Sequence, residues 1–446
     1  MNRFKSVVLV LSMFALAACD SSSNNNRDRT FNLQVLHASP DAPAVNVLLD
    51  GEAALTEFDY RAGSGWVTLD EGTYSVQVDG ILPGGDLAVI GPVDLDFERE
   101  RTYTIAAVNS VANIEPVIIE QSSEDVSAGA ARIVVLHASA DAPTVDVYAT
   151  APGADLTASA PLDTISFKEQ IGPAEVTAGD YQIRVTAAGD PTAVVYDSGT
   201  VNLPDGADLV IAAVPNTTGG ASPISLVGLS ADGAFDLFDI ATPTALRVGH
   251  LSSDTGPVDV LVNGGEYLTD VPFPAVTGFD PLPADTYNVA VTAANMPGVV
   301  AIGPVDLQLD AGTWYSVLAV DQFANIEPLI LTDDPRPVAT EAKVRIVHAA
   351  ANPAAANVDI YVTAVGADIN TEDPALTDVA FKANTGYLGL APGDYDVTVT
   401  VAGTKTAAIG PATISIAAGD VFTAIARDPE PGSMDFGLIL LADELP

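Results

Sequence analysis

Residues Leu33 to Gly51 read LQVLHASPDAPAVNVLLDG. Two runs rich in Val and Leu flank a stretch of Ser, Pro, Asp and Ala, which is the pattern of two strands joined by a tight loop. The stretch returns as RIVVLHASADAPTVDVYAT from Arg132, LRVGHLSSDTGPVDVLVNG from Leu246 and VRIVHAAANPAAANVDIYVT from Val344. Recurrence at a fixed spacing means an array of one structural unit. Midway through the copies come EGTYSVQVDG, AGDYQIRVTAAG, ADTYNVAVTAAN and PGDYDVTVTVAG, which place Tyr74, Tyr181, Tyr287 and Tyr395 just after a turn. Each copy closes on two further apolar runs around a Gly, Pro or Asn turn, as in YTIAAVNSVANIEPVII from Tyr103 and WYSVLAVDQFANIEPLIL from Trp314.

The periodicity is that of strands. Val93 to Glu98 reads VDLDFE, so apolar side chains fall on one face of a strand and acids on the other, faces that a helix would mix. The expected fold is all-β, with four tandem immunoglobulin-like or transthyretin-like β-sandwich domains spanning 31–121, 131–229, 244–333 and 342–443. The first and third copies share ANIEP at Ala112–Pro116 and Ala324–Pro328; the second and fourth share GAD at Gly153–Asp155 and Gly366–Asp368, then Phe167-Lys168 and Phe381-Lys382. His250 follows His37 by 213 positions and His348 follows His137 by 211, so a two-domain cassette is duplicated whole, in the order ABAB. Linkers are expected near 122–130, 230–244 and 333–342. Prolines stiffen the last, and the domains, each closed around its own interior, are expected to form a semi-rigid rod.

The 446 residues carry 17 Lys plus Arg against 59 Asp plus Glu, a net charge of −42 that argues against nucleic acid as a partner. The amino end, MNRFKSVVLVLSMFALAAC, has Arg3 and Lys5 ahead of an apolar run and small residues before Cys19. That run is too short to span the ~30 Å of a bilayer core and reads as a signal peptide over residues 1–18. Leu16-Ala17-Ala18-Cys19 resembles a bacterial lipobox, and the resemblance implies cleavage before Cys19 and acylation of its thiol. Residues 19–30 then form a polar tether. The expected location is the bacterial cell envelope, lipid-anchored in the outer membrane, at the periplasmic face of the inner membrane or at the cell surface.

The VLHASPDAPAVNVLLDG opening, the G-D-Y strand and the ANIEPLIL ending resemble the bacterial envelope repeat known as domain of unknown function 4397, in four copies. The fourth copy departs from it at HAAANPAAANVD, which loses the serine and gains two residues before Asp359. The resemblance implies an exported sandwich protein and brings no activity or catalytic residue.

The chain has four histidines, and His37, His137, His250 and His348 all stand at the end of the first strand of a copy. With Asp41, Asp141 and Asp254 nearby they are the candidate binding positions. A metal or acid–base reading would use the imidazole and an orienting carboxylate; a structural reading has each ring bond the backbone of its own loop. Histidines in separate domains do not converge on one zinc ion, and the P-loop, dinucleotide, zincin and redox motifs are absent from the sequence, as is the G-x-S-x-G elbow. The expectation is a protein with no catalytic residue, metal or cofactor. It is held to the bilayer through acylated Cys19 and presents its sandwiches for binding, adhesion or a structural role toward an unknown protein or glycan. A carbohydrate- or calcium-binding surface module is the alternative, and an envelope hydrolase the third reading.

Overall fold

The computed structural model describes residues 29–444. The signal segment, Cys19 and most of the tether lie outside the described residues. The chain is all-β, four tandem sandwiches of the immunoglobulin-like or transthyretin-like kind, each with two sheets face to face. Sandwich 1 contains β1 (Thr30–His37), β2 (Val45–Leu49), β3 (Glu52–Phe58), β4 (Val67–Asp70), β5 (Gly72–Gly80), β6 (Leu87–Phe97), β7 (Arg101–Val108) and β8 (Glu115–Ser122). One sheet has the order β4-β1-β7-β8 and the other β3-β2-β5-β6. The first strand lies parallel to the seventh, with His37 opposite Ala107, while every other pairing in this sandwich is antiparallel. A parallel pair needs a long crossover, and the excursion through the other sheet supplies it.

Phe31, Leu33 and Val35 of β1 and Tyr103 and Ile105 of β7 face Val45, Val47, Val76 and Val78 of the opposite sheet across the first core. Val93, Leu95 and Phe97 of β6 turn toward that core while Asp94 and Asp96 stay exposed, as the alternation in the sequence requires.

Sandwich 2 contains β9 (Ala130–His137), β10 (Val145–Thr150), β11 (Asp163–Ile165), β12 (Gln170–Thr177), β13 (Gly179–Ala187), β14 (Val194–Leu203), β15 (Asp208–Pro215), β16 (Ile224–Ser230) and β17 (Gly233–Leu237). Its sheets have the orders β12-β9-β15-β16-β17 and β11-β10-β13-β14. The added β17 lies within the stretch read from sequence as the 230–244 linker. Sandwich 3, from Thr244 to Asp333, and sandwich 4, from Ala342 to Ala442, repeat the eight-strand plan, and in each the first strand again pairs parallel with the seventh.

The sandwiches fall into two compact units, 1 with 2 and 3 with 4. Sequence reading gives each sandwich only its own interior, and here the structure differs. In the first unit Leu36, Ala106 and Val108, on the outward face of β1 and β7, pack against Val134, Leu136, Val210, Ala212 and Val214 of β9 and β15 in a second core. All of these side chains are 0–2% exposed. The parallel pair is thus buried on both faces, as near-continuous apolar strands such as RIVVLH and TIAAV require.

In the second unit the corresponding core is smaller, built on Leu251, Leu318, Val320, Leu331, Val347, Ala349 and Ile425. Buried charge accompanies it. Arg247 donates to Asp443 at 2.6 Å and to Asp333 at 3.3 Å, and Arg345 donates to Asp333 and Thr423. Tyr387 Oη and Thr423 Oγ1 donate to Asp443 at 2.6 and 2.5 Å. The guanidiniums lie over the rings of Phe279 and Tyr387, at 4.2 and 4.8 Å from the centroids, so charged groups fill an otherwise apolar contact.

Candidate functional site

The four sequence-predicted histidines occupy one structural position, the last residue of the first strand of each sandwich. The loop that follows must turn the chain from one sheet to the other, and its carbonyls, outside any strand ladder, need donors. The histidine ring supplies one. Nε2–H of His37 donates to Pro43 O at 3.0 Å, that of His137 to Pro143 O at 3.1 Å, that of His250 to Gly256 O at 3.1 Å and that of His348 to Ala355 O at 2.8 Å. In the first and fourth copies Nδ1 accepts an amide proton two residues on, from Ser39 at 3.3 Å and Ala350 at 3.4 Å. That pattern places the single proton of a neutral ring on Nε2. Aromatic edges complete the setting, with Tyr60, Phe273 and Phe381 6.3–6.4 Å from the rings of His37, His250 and His348.

The rings are 1–2% exposed, which separates them from any solvent-borne substrate. Burial holds the imidazoles of His250 and His348 below their usual range, against backbone hydrogen bonds that act in the opposite direction. Both rings are therefore neutral at pH 7 and poor proton donors.

The aspartates beside them serve other segments. Asp41 Oδ1 accepts the Val111 amide at 2.7 Å, and Asp254 Oδ1 accepts the Phe323 amide at 2.7 Å. Each takes the first amide of a short 3₁₀ segment, Val111–Asn113 or Phe323–Asn325, whose turn is closed by its own backbone. Asp141 is exposed on its loop. In the fourth copy, where the insertion changes the loop, Asp428 accepts the Asn352 amide at 2.9 Å from the opposite side. Among the described residues no three His, Cys, Asp or Glu side chains are placed to hold one metal ion.

A second set of acids escapes a reading of the sequence alone. Asp146, Asp259 and Asp359 are 5–8% exposed. Asp259 accepts the amides of Asp270 at 2.8 Å and Asn295 at 2.9 Å, and Asp359 accepts those of Asp378 at 2.9 Å and Gly403 at 2.8 Å. Asp146 accepts the Gly189 amide at 2.7 Å and the Thr164 hydroxyl at 2.5 Å. The signal for them is the V-D-V or V-D-I triplet at one register of three copies. An acid between two inward-facing apolar residues points to the outer face, where loop amides meet it. The mid-copy tyrosines are equally structural. Tyr74, Tyr181, Tyr287 and Tyr395 donate from the hydroxyl to the carbonyls of Asp70, Thr177, Pro283 and Ala391, each four residues upstream, at 2.7–2.9 Å.

The inter-sheet spaces differ among the copies. Sandwiches 1 and 3 enclose apolar cavities of about 120 and 100 Å³, with His37 and His250 in their walls. Sandwich 4 has one of about 100 Å³, and in sandwich 2 the corresponding cavity shrinks to about 20 Å³ beside a wider opening of about 480 Å³ lined by Leu203, Leu209, Phe235 and Leu237.

The family model described as "Domain of unknown function (DUF4397)" matches residues 31–148, 244–361 and 351–446. No curated protein matches the chain. Among solved structures the chain is similar to the Bacillus anthracis TIE protein, at 14% identity and a TM-score of 0.15, over 86% of this chain and 65% of that one. It is also similar to a single-substitution variant of BcpA, the major pilin subunit of Bacillus cereus, at 11% identity and a TM-score of 0.11, over 88% of this chain and 96% of that one. The chain thus spans just under two-thirds of the length of the first.

Proposed function

Because the chain belongs to the family of the domain of unknown function DUF4397, which matches residues 31–148, 244–361 and 351–446, we propose a framework role for the repeated motif rather than a reaction. The protein is read as a non-enzymatic, exported envelope protein, anchored through acylated Cys19, whose tandem sandwiches present exposed surface for binding or adhesion. The observation that carries this reading is the use made of the four histidines. Each is buried, each bonds the carbonyl of its own loop, and those of the second unit are held neutral. A general acid or base has to reach a substrate proton, and these rings face their own backbone. The lipobox-like Leu16-Ala17-Ala18-Cys19 and the polar tether support the anchoring half. A net charge of −42 keeps the body off anionic surfaces, so acyl chains have to supply the membrane affinity.

The test is metabolic labelling with a palmitate analogue in a bacterial host that acylates lipoproteins. The wild-type chain should label and fractionate with membranes, and Cys19→Ala should lose both properties. Full membrane retention of Cys19→Ala would refute the anchor.

A further inference from the structure

Sandwich 2 bridges part of its own open side. Its β17 pairs antiparallel with β16, placing Phe235 opposite Gly228 and Leu237 opposite Leu226. Beyond β17 the Tyr196 hydroxyl donates to Leu237 O at 2.9 Å, the Asp197 amide donates to Asp239 at 2.8 Å, and the Ile240 amide donates to Asp197 O at 2.8 Å. Residues 233–240 therefore run from the edge of one sheet, at β16, to the edge of the other, at β14, as a strap across the gap. Leu237 packs on the core beneath. A Cβ on Gly228 would collide with the Phe235 ring, so the glycine leaves the room that the strap's aromatic fills.

Sandwiches 1, 3 and 4 have the same gap and no strap, but in sandwich 4 Thr413 and Ser415 stand where sandwich 1 has Asp94 and Asp96, so only sandwiches 1 and 3 line it with acid. Register places Ile118 opposite Ile105, and Ile330 opposite Val317, where sandwich 2 has Gly228 opposite Ile211. Ile118 and Ile330 are 42% and 46% exposed, and across the gap Val93 and Val305 are 41% and 48% exposed. Behind these residues lie the cavities of about 120 and 100 Å³, against about 20 Å³ in the core of sandwich 2, whose remaining open space of about 480 Å³ lies at the end of the gap beside Phe235 and Leu237. Tyr196, standing where the others have Ile90 and Ile302, fills part of that difference. Among the described residues β8 pairs only with β7, and Glu327–Asp333 only with Trp314–Val320, which leaves a row of main-chain donors and acceptors open.

We propose that the open edges of sandwiches 1 and 3 each take up an extended peptide strand from a partner, with apolar residues alternating with cationic ones. The strap shows the occupant that this frame accepts, a strand that completes the sheet and drops alternate side chains into the gap. An acyl chain would fill the cavity and leave the edge amides unpaired. Charge selects the rest. Asp94 and Asp96 alternate with cleft-facing Val93 and Leu95, and Asp306 alternates with Val305 and Leu307, so the rim is acidic. At −42 a second copy of this chain is repelled. The proposal concerns the sheet edges and not the anchor or the loops, and purified chain tests it whatever the fate of Cys19.

The experiment is isothermal titration of the full chain with a synthetic peptide of residues 232–240 carrying Phe235→Ala, Asp236→Lys and Asp239→Lys. The alanine leaves room for the isoleucine that stands in place of Gly228. Two peptides should bind per chain. Val93→Lys with Ile118→Lys should reduce this to one, and adding Val305→Lys with Ile330→Lys should abolish binding, with far-ultraviolet circular dichroism unchanged. These side chains are 41–48% exposed, so replacing them leaves the cores filled. No heat, or a stoichiometry indifferent to all four substitutions, overturns the proposal. Palmitate binding without peptide binding assigns the gap to an acyl chain and overturns it as well, as does concentration-dependent self-association that the four substitutions abolish.

Discussion

Replacing Asp443 by alanine removes the carboxylate at the centre of the buried network in the second unit. Asp443 is 0% exposed and accepts from Arg247 at 2.6 Å, Tyr387 at 2.6 Å and Thr423 at 2.5 Å. Asp443→Ala leaves Arg247, itself 1% exposed, with the Ser316 hydroxyl at 3.0 Å and, as its one nearby carboxylate among the described residues, the more distant Asp333 at 3.3 Å, which is already bound to Arg345. Two guanidiniums would then share one carboxylate in a site closed to water. Removing one partner of a buried pair costs about 3–5 kcal/mol, because the remaining charge stays desolvated. Two hydroxyls also lose an acceptor, so the upper part of that range is expected. Replacing Arg247 by Met in the same chain removes the surplus charge and leaves Asp333 with Arg345. Arg247→Met with Asp443→Ala should therefore be more stable than Asp443→Ala alone, a non-additivity of about 1–3 kcal/mol. The assay is urea unfolding followed by tryptophan fluorescence in a Trp66→Phe background, which leaves Trp314 of the second unit as the sole reporter. A loss below about 1 kcal/mol for Asp443→Ala, or a double variant that is simply additive, would refute the claim that the charges stabilise one another.

Further outcomes follow from the same geometry. His250 and His348 are neutral in the fold because burial lowers their pKa, so below about pH 6.5 the unfolded chain binds more protons than the folded one and stability falls with pH. Replacing either by Gln should flatten the difference in unfolding free energy between pH 7 and 5, with at most about 1.4 kcal/mol per pH unit at stake for each ring; an unchanged slope counts against the assignment. Tyr74→Phe and Tyr287→Phe each delete a hydroxyl bond to a carbonyl four residues upstream and should cost about 0.5–1.5 kcal/mol, read as a shift in the urea midpoint. Gly228→Ile places a side chain in the space of the Phe235 ring and should cost about 1–3 kcal/mol while exposing residues 231–240 to limited proteolysis; protection equal to wild type would show that the strap is not held there.

Alternating side chains in VDLDFE and the recurring opening block make the sandwich plan legible, because a half-buried strand writes its two faces directly into the sequence. The same rule hides the pairing of sandwiches. RIVVLH and TIAAV do not alternate, and on their own they read only as strands, although an unbroken apolar run also says that a strand has two dry faces. The strap is illegible for a different reason. GAFDL sits amid turn residues, and only its neighbour Gly228, an absence of side chain, marks the place it fills. The histidines are legible as a position and not as a partner set, since the carbonyls they bond lie six or seven residues away in loops whose course no periodicity fixes. Arg247 and Arg345 look like ordinary surface charges on edge-like strands. Their burial depends on a face-to-face contact that the sequence does not announce.

The second core, between β1 with β7 and β9 with β15, bears on how such a chain can grow. A lone sandwich would carry a dry wall of Leu, Val and Ala facing water, and two strangers with that wall would stick together indiscriminately. Copying a matched couple brings the complementary wall along. The offsets of 213 and 211 residues between equivalent histidines fit lengthening by twos, with each newcomer already wearing its cover.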